Sequence, residues 1–153
     1  MFLKNLSKLL ISIIICQLAG IIGSVFTSNS IRTWYQIINK PSFTPPNWLF
    51  GPVWILLYLL MAVSAFLVWQ KNKKALGIFI LQLIFNTFWS IAFFGLKSPL
   101  FGLIIIVILW ILILLTIMKF FKISKLAGWL LVPYILWVSF AAILNLFILI
   151  LNI

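Results

Sequence analysis

The sequence predicts an all-α membrane protein whose five transmembrane helices form one bundled domain, residues 1–153. Hydrophobic residues make up 66% of the chain and charged residues only 7%, whereas a soluble domain is about half apolar and about a quarter charged. The mean hydropathy is +1.34, and five apolar stretches come close to the roughly 20 residues that span a bilayer. So few charges cannot cover a globular core, and we expect the surface to face lipid. The predicted helices are 6–27, 52–70, 76–95, 99–118 and 126–151.

Residues 6–27 are predicted to be a retained first helix rather than a cleaved signal peptide. Ile15 stands where cleavage before Cys16 would need a small residue, and the apolar run continues well beyond the hydrophobic region of a signal. Small residues at four-residue spacing give the helix a smooth face on which another helix can pack closely. They are Ala19, Gly20, Gly23 and Ser24.

The segment KPSFTPPNWLFGPVW, residues 40–54, holds four of the six prolines. Proline cannot continue a helix and forces the residue before it into extended geometry. We therefore expect a stiff, extended loop, residues 28–51, that covers the mouth of the bundle. Pro52 suits the first turn of the second helix, where its missing N–H costs nothing, and Trp54 follows one turn in. An equally good interpretation is a simple turn into the helix with aromatic membrane anchors.

The third and fifth helices carry residues that interrupt their apolar character. In the third, Gln82 and Asn86 share a face with Phe93, and a buried amide is costly unless it is hydrogen-bonded. We expect this face to point inward, either toward a ligand or toward another helix that Asn86 bonds. The fourth helix is an aliphatic run without such breaks. In the fifth, Pro133 is expected to produce a kink.

Aromatic residues recur together with small or amide residues on one face of three helices. The second helix places Trp54 and Tyr58 four residues apart, and the fifth places Trp137, Ala141 and Asn145 at the same spacing. With the polar face of the third helix, these faces predict a cavity that has flat aromatic walls and few polar groups. Such a cavity is the usual site for an apolar ligand.

The chain has 11 Lys and Arg residues and no Asp, Glu or His. It therefore lacks the usual general bases, a catalytic triad and ligands for a hard metal or zinc, and we predict no metal site and no cofactor. It also lacks the intramembrane acid expected of a proton-coupled antiporter, and Cys16 alone cannot form an internal disulfide. Because the cations lie in small groups between apolar runs, we expect anionic lipid headgroups as partners and no nucleic acid.

The basic residues are distributed unequally between the two sides of the predicted bundle. The side that holds the N-terminus carries eight of them and the opposite side three. The positive-inside rule then predicts a cytoplasmic N-terminus, with the long loop and the C-terminus outside. Helices that follow one another in the sequence are expected to run antiparallel, because the other connections are short.

Four segments, in order within about residues 20–152, resemble the translocator protein family, also called tryptophan-rich sensory proteins or peripheral-type benzodiazepine receptors. They are GIIGSVFT, WYQIINKPSFTPPNWLFGPVWILLYLLMAVSAFLVW, QLIFNTFWSIAFFGLKSPLFGL and LAGWLLVPYILWVSFAAILN. The resemblance implies a five-helix bundle, often a homodimer, with a pocket that opens toward the first loop. The chain is most similar to bacterial-type members, so we expect it in a bacterial cell membrane.

The same resemblance implies binding of tetrapyrroles such as protoporphyrin and haem, with a role in their transport or sensing. The tetrapyrrole ring is then expected to stack between Trp54 and Trp137. Light-dependent porphyrin degradation, with Trp54 and Trp137 as candidate catalytic residues, is the alternative. Two further alternatives are a small efflux transporter, whose ion coupling would normally need an acidic residue in the bundle, and a ligand-free scaffold, which would leave the prolines and inward aromatics unexplained. The tail NLFILILNI lacks the family's sterol-recognition element, so we expect no sterol binding by that route. The ligand-binding positions implied are Tyr35, Pro45, Trp54, Tyr58, Asn86, Trp89, Trp137 and Ala141.

Overall fold

The computed structural model describes residues 2–153, apart from the side chains of Phe2 and Lys4. The expected place of Lys4 at a lipid surface lies outside this part and stays a prediction. The described chain is almost entirely helical and has no strand, and five of its helical segments are long and apolar enough to cross a membrane. The predicted fold class is therefore confirmed. The spans are Asn5–Arg32, Asn47–Lys71, Lys73–Gly95, Pro99–Phe121 and Lys125–Leu151.

Seven α-helices build these spans and part of the first loop. A 3-10 turn, Lys73–Ala75, precedes the fourth of them, and a π-helical segment, Ile91–Gly95, follows it. The helices are α1 (Phe2–Arg32), α2 (Trp34–Ile37), α3 (Asn47–Lys71), α4 (Leu76–Ser90), α5 (Pro99–Phe121), α6 (Lys125–Leu130) and α7 (Val132–Leu151).

The five spans form a ring whose order differs from their order in the sequence. α1 packs against α3 and α4, α4 against α5, α5 against α6 and α7, and α3 against α6. Successive spans cross in alternate directions, as predicted, so α1 and α4 are the one pair of ring neighbours that run parallel. The centre of the ring is filled by side chains such as Met61, Leu109 and Tyr134, none of which is exposed.

α1 is longer than predicted and ends at Arg32 instead of near residue 27. The polar residues beyond that point find partners without leaving the helix. Ser30 is buried and donates a hydrogen bond to the carbonyl oxygen of Phe94 at 2.6 Å. Because no proline precedes Pro41, nothing in the sequence forces the helix to stop earlier.

α3 begins at Asn47 and not at the predicted residue 52. Pro46 precedes it in extended geometry (φ −62°, ψ 143°). Pro52 consequently lies in the second turn of α3 and Trp54 about two turns in, so the prediction that Pro52 opens the helix was wrong. The extended part of the first loop is reduced to residues 38–46, which we call the strap.

The strap is fastened to the end of α7. The backbone N–H of Asn39 donates to Asn152 Oδ1 at 3.0 Å, and Asn152 Nδ2 donates to the Asn39 carbonyl oxygen at 2.8 Å. The ring of Phe43 meets those of Phe147 and Phe140 edge-on, with centroids 5.4 Å and 6.3 Å apart. The strap is thus held to the last span by hydrogen bonds at Asn39 and by the ring of Phe43.

Replacing Asn152 with alanine is expected to loosen the strap without unfolding the bundle. The substitution removes two hydrogen bonds between α7 and Asn39, each worth about 1 kcal/mol net. We expect amide hydrogen exchange in residues 38–46 to accelerate about tenfold, while exchange in α4 and α5 stays unchanged. Asn29→Ala, an exposed position on α1, is the matched control. Equal exchange in the wild type and the Asn152 variant would contradict the proposed fastening.

Pro133 breaks the fifth span, as predicted. α6 and α7 meet at Leu131 (φ −92°, ψ −9°), because Pro133 has no N–H to bond to the carbonyl oxygen of Trp129 four residues earlier. The N–H of Leu131 bonds instead to the Gly128 carbonyl oxygen at 3.1 Å. The break sets Tyr134, in the first turn of α7, at the centre of the bundle.

Candidate ligand-binding cavity

A cavity of about 280 Å³ lies between α1, α3 and α4, in the half of the bundle nearest the strap. Aromatic side chains of α3 and α4 form one wall, and small or polar residues of α1 form the other. Ile21 and Ile55 stand at the outer rim and are 58% and 62% exposed, so the cavity opens at the seam between α1 and α3. The aromatic wall comprises Phe50, Trp54, Tyr58, Trp89 and Phe94, and the α1 wall comprises Gln17, Gly20, Gly23, Ser24 and Thr27.

Two glycines allow α1 to come this close to its neighbours. A Cβ atom on Gly20 would lie 2.5 Å from Cε2 of Tyr58, and one on Gly23 would lie 3.0 Å from Oγ of Ser90. Any larger side chain would push α1 away from α3 or α4. The smooth face predicted from the four-residue spacing is confirmed, and it packs against side chains of two helices.

Trp54 sits within a cluster of aromatic rings. Its centroid is 5.6 Å from that of Tyr58 and 6.3 Å from those of both Trp89 and Tyr134. Trp89 in turn stacks on Phe93 at 5.8 Å with 23° between the planes. These contacts come from three helices and fix the orientation of the Trp54 ring, which leaves one part of it facing the cavity.

α4 widens into its π-helical segment where it borders the cavity. The N–H of Leu96 bonds to the carbonyl oxygen of Ile91, five residues earlier, at 2.8 Å. π-Helical turns are rare and frequent at functional sites. Here the wider turn places Phe93 and Phe94 both inside the bundle, at 3% and 5% exposure, and Phe94 reaches the cavity.

A chain of hydrogen bonds lies behind the aromatic wall. The Tyr58 hydroxyl donates to Asn86 Oδ1, Asn86 Nδ2 donates to the Tyr134 hydroxyl oxygen at 2.9 Å, and the Tyr134 hydroxyl donates to Gln82 Oε1 at 2.8 Å. Gln82 Nε2 also reaches Met61 Sδ at 3.9 Å. Gln82 and Asn86 are each 1% exposed, so the predicted inward face of the third helix is confirmed. Its amides hydrogen-bond to tyrosines of other helices, as expected if this face points toward another helix rather than toward a ligand.

Three of the eight positions implied by the resemblance line the cavity, namely Trp54, Tyr58 and Trp89. Asn86 lies one hydrogen bond behind it. The other four, Tyr35, Pro45, Trp137 and Ala141, are outside the cavity wall, and their part in ligand binding stays a prediction. Phe50, one turn before Trp54, and the glycine wall of α1 also line the cavity, although the sequence did not predict them as parts of the site.

Tyr35 belongs to the packing beneath the strap. It is 2% exposed, and its ring meets those of Phe93 and Phe94 at 6.3 Å and 5.7 Å. Lys40 places its amine 5.0 Å above the Tyr35 ring and donates to the Tyr35 carbonyl oxygen at 2.6 Å. Burial raises the pKa of the Tyr35 phenol to about 12, so this side chain is uncharged at physiological pH. Pro45 lies in the strap itself.

Trp137 is linked to the cavity through Phe50. The two rings meet edge-on with centroids 6.1 Å apart, and Trp137 also contacts Phe140 at 5.6 Å. The Nε1–H of Trp137 is buried without an acceptor among the described residues, at a cost of about 1–3 kcal/mol. Trp137 is not among the residues that line the cavity, and the stacking of a ligand between Trp54 and Trp137 stays a prediction. Ala141, one turn further along α7, is 7% exposed.

The chemistry that this cavity offers is stacking and hydrogen bonding. Every residue that lines it is uncharged, and the described residues contain no group of three or more side chains that could hold a metal ion. A flat apolar ring can lie against the indoles of α3 and α4. Polar groups at the edge of such a ring can reach the hydroxyls of Ser24, Thr27 and Ser90.

Sequence comparisons place the chain among membrane proteins of one family. The TspO/MBR family model matches residues 12–151. A protein of Chlorobaculum tepidum named tryptophan-rich protein TspO is 45% identical over 155 residues, which cover 97% of this chain and 98% of that protein. A tryptophan-rich sensory protein of Cereibacter sphaeroides is 39% identical over 114 residues, 73% of this chain and 72% of that one. The human protein named translocator protein is 34% identical over 136 residues, 84% of this chain and 80% of that one.

Proposed function

Because the chain belongs to the TspO/MBR family, we propose that this membrane protein binds tetrapyrroles such as protoporphyrin or haem and acts in their transport or sensing. The observation that carries the proposal is the pair of unlike walls in the cavity, with aromatic rings on one side and glycines on the other. The aromatic wall stabilises a flat ring by stacking and apolar burial. Gly20 and Gly23 hold α1 close to Tyr58 and Ser90, and the opposite face of the ring meets the small polar residues Ser24 and Thr27 of α1.

The size of the cavity limits how a ligand enters it. Its volume of about 280 Å³ lies at the lower edge of the roughly 300–1,000 Å³ of cavities that hold drug-sized ligands. A tetrapyrrole therefore inserts one edge between the walls and leaves the other at the rim near Ile21 and Ile55. The exposed rim faces the bilayer, in which an apolar ring concentrates.

The proposal also covers the membrane in which the protein lies, its orientation there and its oligomeric state. In a bacterial cell membrane with the N-terminus in the cytoplasm, the cavity lies in the outer half of the bilayer. Six exposed lysines then lie at the cytoplasmic surface, where they attract anionic lipid headgroups. We propose that the protein acts there as a homodimer. These lysines are Lys71, Lys73, Lys74, Lys119, Lys122 and Lys125.

A titration of the purified protein with protoporphyrin tests the proposed binding. Ligand at the aromatic wall should quench tryptophan fluorescence, and Trp54→Phe should weaken binding about threefold to tenfold, the equivalent of one lost aromatic stacking contact. Trp137 lies outside the cavity and meets it only through Phe50, so a loss in Trp137→Phe as large as that in Trp54→Phe would show that the bound ligand extends beyond the present cavity. Trp129→Phe is the control, since Trp129 is 63% exposed and packs on Phe121 at the other end of the bundle. An equal loss in Trp54→Phe and Trp129→Phe would contradict the proposed site.

Light-dependent porphyrin degradation is a second candidate function. The ring of Trp54 lies within 6.3 Å of Tyr58, Trp89 and Tyr134, which are all oxidisable and could replace an electron that Trp54 gives to a photoexcited porphyrin. Illumination of the complex distinguishes the two candidates. Bleaching of the Soret band with a new product, lost in Trp54→Phe, favours the enzyme, and a stable band favours binding alone.

A further inference from the structure

Phe50 connects the cavity to a part of the bundle that the cavity does not reach. It lines the cavity one turn before Trp54 on α3, and its ring meets Trp137 edge-on at 6.1 Å and 67°. Trp137 itself lies outside the cavity, with a buried Nε1–H that has no acceptor among residues 2–153. The Phe50 ring therefore lies between the cavity and an indole whose N–H has no hydrogen-bond acceptor among the described residues.

The helical turn that carries Phe50 is weakly held. Pro46 caps it without a side-chain hydrogen bond, and the N–H of Leu49 bonds to the Pro46 carbonyl oxygen at 3.0 Å. Pro52 has no N–H to offer the carbonyl oxygen of Trp48, four residues earlier. Trp48 is also 72% exposed and contributes little packing. A helix end without a side-chain cap, followed by a proline that removes one internal hydrogen bond, opens at a lower free-energy cost than the helix interior.

The residue after Phe50 leaves room for movement. No heavy atom lies within 4 Å of an ideal Cβ on Gly51, and Gly51 and Pro52 are both exposed. By contrast, Trp54, one turn deeper, is held by ring contacts to three helices. The first turn of α3 can shift while the rest of the helix stays in place.

We propose that Phe50 is a gate residue whose ring moves aside when a large flat ligand binds, which joins the cavity to Trp137. This inference rests on the proposed function and adds the element that decides which ligands fit. A ligand that fills only the present 280 Å³ leaves the gate closed. A tetrapyrrole displaces Phe50, stacks beside Trp54, and presents a carbonyl or carboxylate oxygen to the Trp137 N–H.

Truncation of Phe50 should therefore strengthen binding, whereas truncation of an ordinary wall residue weakens it. We expect Phe50→Ala to bind protoporphyrin about twofold to tenfold more tightly and to associate with it faster. The gain corresponds to one edge-to-face aromatic contact, that of Phe50 with Trp137, which the ligand no longer has to break. Phe50→Leu should give an intermediate gain and keeps the test available if the alanine variant fails to fold. Phe43→Ala, which removes a ring that contacts α7 outside the cavity, is the matched control and should leave the affinity within twofold.

A measurement on the ligand-free protein tests the gate independently of ligand binding. In protein with 15N-labelled indoles, the Trp137 Nε1–H signal, identified by its loss in Trp137→Phe, should exchange with solvent faster in Phe50→Ala than in the wild type. If the wild type binds protoporphyrin and both Phe50 variants bind it equally or more weakly, then Phe50 is a fixed part of the cavity wall. That result would overturn the gate and leave the proposed function standing. Absence of protoporphyrin binding by the wild type would overturn both.

Discussion

Replacing Gly20 with valine is expected to abolish protoporphyrin binding and to destabilise the bundle. The first atom added, Cβ, would lie 2.5 Å and 2.7 Å from ring carbons of Tyr58, and Tyr58 cannot turn away without breaking its hydrogen bond to Asn86. α1 must then move off α3, which removes one wall of the cavity. Overpacking of this kind costs about 1–3 kcal/mol. We expect the free energy of unfolding in detergent to fall by that amount and the affinity for protoporphyrin to fall more than tenfold.

Gly77→Ala provides the control for a glycine in a helix without a close neighbour. Nothing lies within 4 Å of an ideal Cβ at Gly77, so alanine should stabilise α4 by about 0.5–1 kcal/mol through its higher helix propensity. Binding should not change. A Gly20→Val variant that unfolds and binds like the wild type would show that α1 does not need to approach α3 closely, contrary to the geometry of the cavity.

Replacing Asn86 with leucine is expected to produce the second large loss. Leucine leaves the Tyr58 hydroxyl without an acceptor and removes one of the partners of Tyr134. Each unsatisfied buried polar group costs about 1–3 kcal/mol, so we expect unfolding to become easier by about 2–3 kcal/mol. Protoporphyrin binding should weaken as well, because the ring of Tyr58 forms part of the aromatic wall.

The pair Tyr58→Phe and Asn86→Leu tests whether the loss comes from this hydrogen bond. Tyr58→Phe alone should cost about 1 kcal/mol. The double variant should be more stable than the sum of the two single changes predicts, by about 1 kcal/mol, because the orphaned hydroxyl is gone. Strict additivity would show that the two residues contribute independently.

The fold could be predicted because lipid imposes strong constraints on a sequence. Apolar runs of sufficient length and the separation of charges marked the five spans, and Pro133 marked the break between α6 and α7. The ends of the spans were less certain. Ser30 looked like a loop residue until the structure showed its partner, the Phe94 carbonyl oxygen, and Pro52 was tolerated in a second turn because its helix begins at Asn47.

The site could be predicted only in part, because its shape depends on which helices become neighbours. Trp54, Tyr58 and Trp89 were found from their spacing and from the family resemblance. The position of the opening was not, since α1 meets both α3 and α4 in a ring order that the sequence does not display. Phe50 looked like any other apolar residue at the start of a helix. Only its contact with Trp137 distinguishes it.

An experimental structure of the protein with bound protoporphyrin is the most direct test of the central claim, that a flat ligand binds between the aromatic wall and α1. We expect the macrocycle against Trp54, one face toward Ser24 and Thr27, and the Phe50 ring displaced. A macrocycle bound in the apolar groove between α1 and α4, lined by Leu18, Ile22 and Phe88 among others, with the cavity at Trp54 unchanged, would contradict it.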